Sequence, residues 1–221
     1  MGSDPLSLPL SGGLTPFRVW PVTDPAAPPP LGAVLAGGAG ERLGGSKATV
    51  DLAGRPLISY PLAAFAEAGI EAIVVAKRDT ELPDLEVAVL HEPDEPRHPL
   101  AGVAAALREA GDRPVVVCPC DTPFVPSALL ARLAALPHPA VIVDAGRHHH
   151  PLLARYEPSV LGAIESGLAA GHSATHTALA LGPTILTDAD LHRLGEPRLI
   201  TFNVNTPGDL DYAASIVTRA L

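Results

Sequence analysis

The sequence predicts an α/β fold in which a mostly parallel β-sheet lies between two layers of helices. Short, continuously apolar runs alternate along the chain with alanine-rich stretches whose apolar residues recur at helical spacing. An apolar run without polar alternation is typical of a strand covered on both faces, and strands that alternate with helices favour parallel pairing. We therefore expect one three-layer, Rossmann-like domain over residues 31–221, without an internal repeat.

Six apolar runs are predicted to be the strands of this sheet. In chain order they are LGAVLA (31–36), EAIVVA (71–76), EVAVL (86–90), PVVVC (114–118), PAVIV (139–143) and PRLITF (197–202). Each is five or six residues long, as buried strands commonly are, and most are rich in valine, isoleucine and leucine.

Four stretches between these runs are predicted helices, and a fifth helix is expected to end the domain. They are PLISYPLAAFAEAG (56–69), PLAGVAAALREAG (99–111), PSALLARLAAL (126–136), PSVLGAIESGLAAG (158–171) and a helix starting at TPGDLDYAASIV (206–217). Thr206 is expected to cap the last helix, and Asp209 to interact favourably with its dipole. Pro61 should kink or restart the first helix. Three helices end at a glycine, which readily adopts a positive φ: Gly69, Gly111 and Gly171.

The composition fits one well-buried domain and argues against two classes of partner. Of the 221 residues 47% are hydrophobic, but no apolar run approaches the roughly 20 residues needed to cross a bilayer. The formal net charge is −9 and the lysines and arginines form no cluster, so we expect no nucleic-acid partner and no membrane partner. Residues 1–30 are proline-rich and lack both periodicity and a secretory pattern, which predicts a disordered tail and a cytoplasmic protein.

The two cysteines, Cys118 and Cys120, are separated by a single residue. Two thiols are too few for a structural zinc site, and a disulfide across one residue would be badly strained. We expect both to be reduced thiols at the end of a strand.

The most informative segment is LAGGAGERLGGSK (35–47), which follows the first predicted strand. A P-loop requires lysine directly after its last glycine and then a serine or threonine, but here Ser46 precedes Lys47 and Ala48 follows it. A dinucleotide-binding fingerprint requires a third glycine where this chain has Leu43. Both phosphate loops therefore fail by one position.

What remains, L-x-G-G-x-x-x-R-x-G-x-x-K after a strand, resembles the nucleotidyltransferase superfamily that activates sugars and cofactors with a nucleoside triphosphate. The physical chemistry agrees, because Gly37 and Gly38 let the backbone approach a triphosphate and offer amide donors. Arg42 and Lys47 are cations that can neutralise the β- and γ-phosphates as pyrophosphate leaves.

Three further motifs narrow this resemblance. PLAG (99–102) opens a predicted helix, CPCDTP (118–123) ends a predicted strand, and FNVNTP (202–207) precedes the last helix. Together with LAGG, and in this order, they resemble the molybdenum cofactor guanylyltransferases, the MobA family. The resemblance implies an enzyme with a nucleotidyltransferase domain that transfers GMP from GTP to molybdopterin and releases pyrophosphate. It implies Mg²⁺ as cofactor, and GTP, molybdopterin and possible cofactor-biosynthesis proteins or molybdoenzymes as partners.

The resemblance also implies residue roles. Arg42, Lys47 and Asp121 would be catalytic, with Asp121 as the magnesium ligand and Asn205 as a second metal or water ligand. Asp121 has an alternative interpretation as a helix cap, and Asn205 as an ordinary turn residue. The nucleotide would be contacted by Leu35, Ala36, Gly37, Gly38, Lys47, Glu92, Asp94, Gly102 and Asp121. Glu92 stands where the family usually has an aspartate, with Asp94 as the other candidate, and Lys77 stands where the family more often shows an asparagine.

The pterin side is predicted to include His150, in RHHHPLLARY (147–156), and Asn203. A metal site in the histidine run is the alternative, but consecutive side chains on an extended segment diverge, so titrating surface histidines are favoured. The chain departs from the family in AGHSATHTALA (170–180), where relatives carry arginine and this chain has His172, Ser173 and His176.

Two rival functions remain open. The first is another nucleotidyltransferase, such as a cytidylyltransferase acting on molybdopterin or on a different phosphorylated acceptor. LAGG with DTP is more like the guanylyl branch, whereas LAAG with DQP is more like the cytidylyl branch. The second is a non-catalytic relative that binds a nucleotide or cofactor. Arg42, Lys47 and Asp121 together favour the enzyme, because a binding protein has less need for leaving-group and metal residues.

Overall fold

A seven-stranded sheet forms the centre of the computed structural model, which describes residues 28–38, 43 and 45–220. Strands β2 and β3 form a separate two-stranded sheet, and the others form the large one. In chain order the strands are β1 (Leu31–Leu35), β2 (Asp51–Leu52), β3 (Arg55–Pro56), β4 (Ala72–Ala76), β5 (Val89–His91), β6 (Val115–Pro119), β7 (Ala140–Ala145), β8 (His148–Tyr156) and β9 (Thr184–Leu186). The helices are α1 (Ser59–Glu67), α2 (Pro99–Ala110), α3 (Ser127–Ala135), α4 (Leu161–Ala169), α5 (Ala174–Ala180), α6 (Asp188–Leu191), α7 (Pro197–Ile200) and α8 (Pro207–Ala220).

The strand order of the large sheet is β5-β4-β1-β6-β8-β7-β9. Strand β8 runs antiparallel to both of its neighbours, β6 and β7, while the other pairs are parallel. The predicted α/β class with a mostly parallel sheet is therefore confirmed. The carboxyl ends of β1, β4 and β6 come to the same edge of the sheet, which is where open α/β sheets bind ligands.

Helices cover both faces of the sheet, so the predicted three layers are present. On one face Val34 of β1 belongs to a core cluster that includes Phe65 of α1 and Leu130 of α3. On the other face the adjacent residue, Ala33, belongs to a cluster with Leu107 of α2. Neighbouring residues of a strand point to opposite faces, so a continuously apolar strand supplies both clusters.

A smaller apolar cluster joins the β2–β3 hairpin to α8. Leu52 and Leu57 are fully buried against Val204 and Ala213. The hairpin turn has positive φ at Ala53 and Gly54, as a tight two-residue turn requires. This cluster fixes the segment before α8 next to the carboxyl edge of the sheet.

One predicted strand is wrong, because residues 197–202 contain helix α7 and a following turn. Pro197 occupies the first turn of that helix, where its missing N–H costs nothing. Strands β8 and β9 and the β2–β3 hairpin were not predicted. The periodicity of a short apolar run does not separate a strand from a buried helical turn, and a run with polar or histidine residues hides a strand.

The other predicted elements are present with shifted bounds. Strand β5 covers only the end of the predicted 86–90 run. Helix α1 begins at Ser59, so Pro61 falls in its first turn and no kink is needed. The glycines predicted to end helices have positive φ, +68° at Gly69, +62° at Gly111 and +70° at Gly171. Among the described residues no helix is both long and apolar enough to span a bilayer. The predicted tail lies largely outside the described residues.

Candidate functional site

A cleft of about 780 Å³ opens at the carboxyl edge of the sheet. Its floor is formed where β1, β4 and β6 end, at Leu35, Val75 and Pro119. Its walls come from the described end of the glycine-rich segment and from the N-terminus of α2, with Gly45 and Pro99 among the lining residues. Parallel strands ending at one edge thus bring three of the four predicted motifs to one cavity, and Asn203 of the fourth also lines it.

Backbone hydrogen bonds hold these strand ends together. The Cys120 N–H donates to the Leu35 carbonyl at 3.0 Å, which joins the CPCDTP segment to the end of β1. The Val204 N–H donates to the Asp121 carbonyl at 2.9 Å, which joins FNVNTP to the same place. Asp121 and the asparagines of FNVNTP are therefore neighbours despite their separation in sequence.

Lys47, Asp121 and Asn205 form the charged centre of the site. The Lys47 ammonium donates to Asp121 Oδ2 at 2.6 Å and to Asn205 Oδ1 at 2.5 Å. The Lys47 and Asp121 side chains are only 15% and 10% exposed. At such low exposure an ion pair is screened much less than on the surface, so this contact organises the centre of the cleft.

The donor set around Asp121 fits a divalent cation. Asp121 Oδ1 is buried without a hydrogen-bond partner among the described residues, while Oδ2 and the Asn205 amide oxygen converge on a positive group. Carboxylate and amide oxygens are the ligands that Mg²⁺ prefers. The oxygens of Asp121 and Asn205 could therefore supply protein ligands to such an ion.

Glu92 separates two of the predicted nucleotide-contacting glycines. Glu92 is only 9% exposed. A Cβ atom at Gly37 would collide with Glu92 Oε1, and one at Gly102 would lie 2.9 Å from Glu92 Oε2. A side chain at either position would therefore displace the Glu92 carboxylate from the place it occupies. Burial raises the pKa of the Glu92 carboxyl, and the nearby Lys77 ammonium partly offsets the rise.

Asp209 positions Asn205 from the first turn of α8. Its Oδ2 accepts the backbone N–H of Asn205 at 3.0 Å and that of Thr206 at 2.8 Å, and Thr206 Oγ1 accepts the Asp209 N–H at 3.2 Å. Burial alone would raise the pKa of the Asp209 carboxyl, but these hydrogen bonds hold it below its usual range. Asp209 was predicted to interact only with the helix dipole, although the T-x-x-D spacing is the signature of such reciprocal capping.

A second cavity of about 190 Å³ adjoins the cleft and shares Asn203 with it. His150 also lines this cavity. Asn203 Oδ1 and His150 Nε2 are buried and have no hydrogen-bond partner among the described residues. Burial lowers the pKa of His150, and His148 lowers it further, so the imidazole is neutral at pH 7. The two residues predicted for the pterin side thus contribute free polar atoms to one small cavity.

Most of the predicted site residues line the cleft. Those that line the cleft are Leu35, Gly37, Gly38, Lys47, Glu92, Gly102, Asp121 and Asn203. Ala36 is buried in the core. Asp94 does not line the cleft, but its backbone carbonyl accepts a hydrogen bond from the Lys77 ammonium at 2.7 Å. Arg42 lies outside the described residues.

Other sequence features have structural roles. Cys118 and Cys120 are free buried thiols, and burial raises the pKa of Cys118 to about 12. Ser173 caps α5 by accepting the His176 N–H at 3.2 Å. Within the described part of the chain, no group of three or more histidine, cysteine, aspartate or glutamate side chains is placed to hold a metal. In the histidine run, His149 instead lies 2.7 Å from Asp144 Oδ2.

The sheet and the cleft at its carboxyl edge define an α/β protein of the nucleotidyltransferase fold. Residues 32–182 match the family described as the MobA-like NTP transferase domain. The chain therefore belongs to the MobA-like NTP transferase family.

Named relatives agree with this assignment. A molybdenum cofactor guanylyltransferase of Cereibacter sphaeroides is 34% identical over 199 residues, covering 86% of this chain and 97% of that protein. One of Acidiphilium cryptum is 34% identical over 203 residues, covering 87% and 97%. The crystal structure of molybdopterin-guanine dinucleotide biosynthesis protein A from Archaeoglobus fulgidus superposes with a TM-score of 0.73 at 26% identity, covering 86% and 99%.

Proposed function

We propose that this protein is a molybdenum cofactor guanylyltransferase, which transfers GMP from GTP to molybdopterin and releases pyrophosphate. The single observation that carries the proposal is the Lys47–Asp121–Asn205 cluster in a cleft bordered by the glycine-rich segment. The family and the named relatives supply the class of nucleotide and acceptor.

The proposed reaction is a substitution at the α-phosphorus of GTP. An oxygen of the terminal phosphate of molybdopterin forms a bond to that phosphorus, and the bond from the α-phosphorus to the α,β-bridging oxygen breaks. The electron pair leaves with pyrophosphate, and the product contains a new phosphoanhydride between the pterin and GMP. The attacking oxygen is already anionic at neutral pH, so no serine, cysteine or general base is required.

The charged centre of the cleft suits this step. Lys47, and Arg42 from the segment before it, would neutralise the charge that develops on departing pyrophosphate. Asp121 and Asn205 would hold Mg²⁺ through their oxygens, and Asp121 Oδ1 has no hydrogen-bond partner in the described part of the chain. When bound, Mg²⁺ would stabilise negative charge on the transferring phosphoryl group.

The nucleotide would lie along the glycines beside Glu92. Gly37 and Gly38 leave the backbone open to the phosphates, and Gly102 opens the N-terminus of α2 to the base or ribose. Among the described residues no side chain donates a hydrogen bond to the Glu92 carboxylate, so it is an acceptor suited to donors on a base or a ribose. Its position on the cleft wall favours it over Asp94 for this contact.

The acceptor would enter from the second cavity. His150 Nε2 and Asn203 Oδ1 offer polar atoms to a heteroaromatic ring there, and the cavity joins the cleft at Asn203. The neutral His150 imidazole suits a ring better than a phosphate. The acceptor phosphate would then lie toward the cations of the cleft.

The proposal is tested by incubating the purified protein with molybdopterin, Mg²⁺ and one of GTP, CTP or ATP, and measuring pyrophosphate and the dinucleotide product. We expect both products in equal amounts with GTP, and neither when molybdopterin is omitted. His150→Ala and Asn203→Ala should raise the KM for molybdopterin more than that for GTP. Product with CTP instead would favour the cytidylyltransferase, and nucleotide binding without pyrophosphate would favour the non-catalytic relative.

A further inference from the structure

We propose that Lys47 is a placeholder for the divalent cation. In the nucleotide-free protein its ammonium occupies the Asp121–Asn205 oxygens, and it moves to the phosphates when the metal enters with the nucleotide. This inference rests on the proposed function, and adds that free metal must compete with Lys47 for these oxygens and so binds weakly until a nucleotide draws the ammonium away.

The contacts of Lys47 carry the first step. Its ammonium is shared by one carboxylate oxygen and one amide oxygen, at 2.6 Å from Asp121 and 2.5 Å from Asn205. These are the two oxygens that would otherwise be metal ligands. The Lys47 ammonium therefore occupies the position in which a divalent cation would bind.

The two cations exclude each other on electrostatic grounds. An ammonium and a divalent ion held by the same pair of oxygens would repel strongly, since the site is poorly exposed and the repulsion is weakly screened. Asp121 Oδ1 has no hydrogen-bond partner among the described residues, where Lys47 satisfies only the other oxygen of the carboxylate. A single-charge occupant that leaves one oxygen free can be displaced by an ion that uses both.

The Lys47 side chain can also reach phosphates bound in the cleft. It lines the cleft at the described end of the glycine-rich segment, and it begins the short 3₁₀ turn Lys47–Thr49. A long, flexible side chain can swing from the carboxylate toward bound phosphates without movement of the fold. The negative charge of a triphosphate would supply the attraction that draws Lys47 away, and so couple nucleotide binding to metal binding.

The lysine content makes this movement measurable. The chain has two lysines, Lys47 and Lys77, and both line the cleft. Lys77 instead donates to the Asp94 carbonyl at 2.7 Å, away from Asp121. Protein labelled with ¹³C at the lysine ε-carbon should therefore give two side-chain NMR signals, and Lys77→Met identifies which belongs to Lys47.

The experiment titrates this protein with Mg²⁺ in the absence of nucleotide, and measures Mn²⁺ binding by electron paramagnetic resonance. We expect Mg²⁺ to shift the Lys47 signal and leave the Lys77 signal in place. We expect Lys47→Met to bind Mn²⁺ about tenfold more tightly than wild type, since a competing charge is removed. Lys77→Met controls for the loss of one positive charge in the same cleft, and Asp121→Asn should abolish the binding.

The inference is overturned if saturating Mg²⁺ leaves the Lys47 signal unmoved, or if Lys47→Met and Lys77→Met raise Mn²⁺ affinity equally. The NMR arm uses protein with Lys47 intact, so it decides the question even if Lys47→Met folds poorly. If GMP transfer occurs while these results are negative, only the placeholder fails. If Lys47 responds to Mg²⁺ but no transfer occurs, the proposed function fails.

Discussion

Lys47 and Asp121 form a 2.6 Å ion pair although 74 residues separate them in the chain. The lysine follows the glycine-rich segment after β1, and the aspartate follows β6, which is the hydrogen-bonded neighbour of β1. The parallel register of two adjacent strands thus brings a cation and a carboxylate to one point of the cleft.

This pair predicts a specific pattern of stability and activity. Lys47→Met and Asp121→Asn should each lower the free energy of unfolding by about 1–3 kcal/mol, because each leaves a poorly exposed polar group without its partner. The double variant should recover part of that loss. GMP transfer should be lost in all three. Urea denaturation and the transfer assay measure the two effects, and strictly additive stability changes would contradict the pairing.

The position of the Glu92 carboxylate predicts different stabilities for alanine variants of two adjacent glycines. Gly37→Ala should destabilise the protein by about 0.5–1.5 kcal/mol, because the new Cβ would force the flexible end of the Glu92 side chain out of its rotamer. Gly38→Ala is the matched control, since a Cβ there has no atom within 4 Å. Chemical denaturation should therefore separate the two variants. Equal stability of both would show that Glu92 yields without cost, and the double variant Gly37→Ala with Glu92→Ala should restore stability.

Glu92 predicts a pH dependence of stability. Burial raises its pKa in the folded protein above that in the unfolded chain. Between these two pKa values the folded state binds more protons, so stability falls as pH rises and stays lower above the folded-state pKa. Glu92→Gln should raise the Tm at pH 7 while weakening GTP binding, and the gain in Tm should vanish below about pH 4. Asp94→Asn, at an exposed carboxylate, is the control for Tm; a gain in Tm that persists in acid would refute the explanation.

The Asp209 carboxyl predicts a pH dependence of stability opposite to that of Glu92. Its lowered pKa means that its stabilising contribution is present at neutral pH and is lost as pH falls through the folded-state value, below about pH 4. Asp209→Ala should cost about 1 kcal/mol of stability, as the loss of a helix cap does. It should also raise the Mg²⁺ concentration needed for half-maximal transfer, because Asn205 loses its anchor. Asp211→Ala, on the exposed side of α8, should change neither; a normal Mg²⁺ requirement in Asp209→Ala would limit Asp209 to a cap.

Much of the site could be predicted from the sequence because its motifs follow strands. Once LGAVLA and PVVVC are taken as neighbouring parallel strands, the glycines after the first and Asp121 after the second must share an edge. Local rules also predicted the helix ends at glycine and the Thr206 cap. These features depend on a few residues in fixed spacing, which a sequence displays directly.

The rest depends on contacts that no local pattern displays. Nothing in HEPDEP indicates that the Glu92 side chain lies between Gly37 and Gly102, which come from different motifs. The β8 strand was hidden because its histidines and Pro151 break the apolar run that marks the other strands. The prediction of a strand at PRLITF was wrong because a short apolar segment is compatible with both a strand and a helical turn. In the fold this segment is helical, with Pro197 and Ile200 buried.

Calorimetric binding of GTP, CTP and ATP, with Mg²⁺ present, tests the central claim most directly. Wild type should prefer GTP over the other two, and Lys47→Ala should lose most of that affinity while keeping its fold by circular dichroism. Equal binding of the three nucleotides, no binding at all, or GTP affinity unchanged in Lys47→Ala would contradict a guanylyl-transfer site built around Lys47 and Asp121.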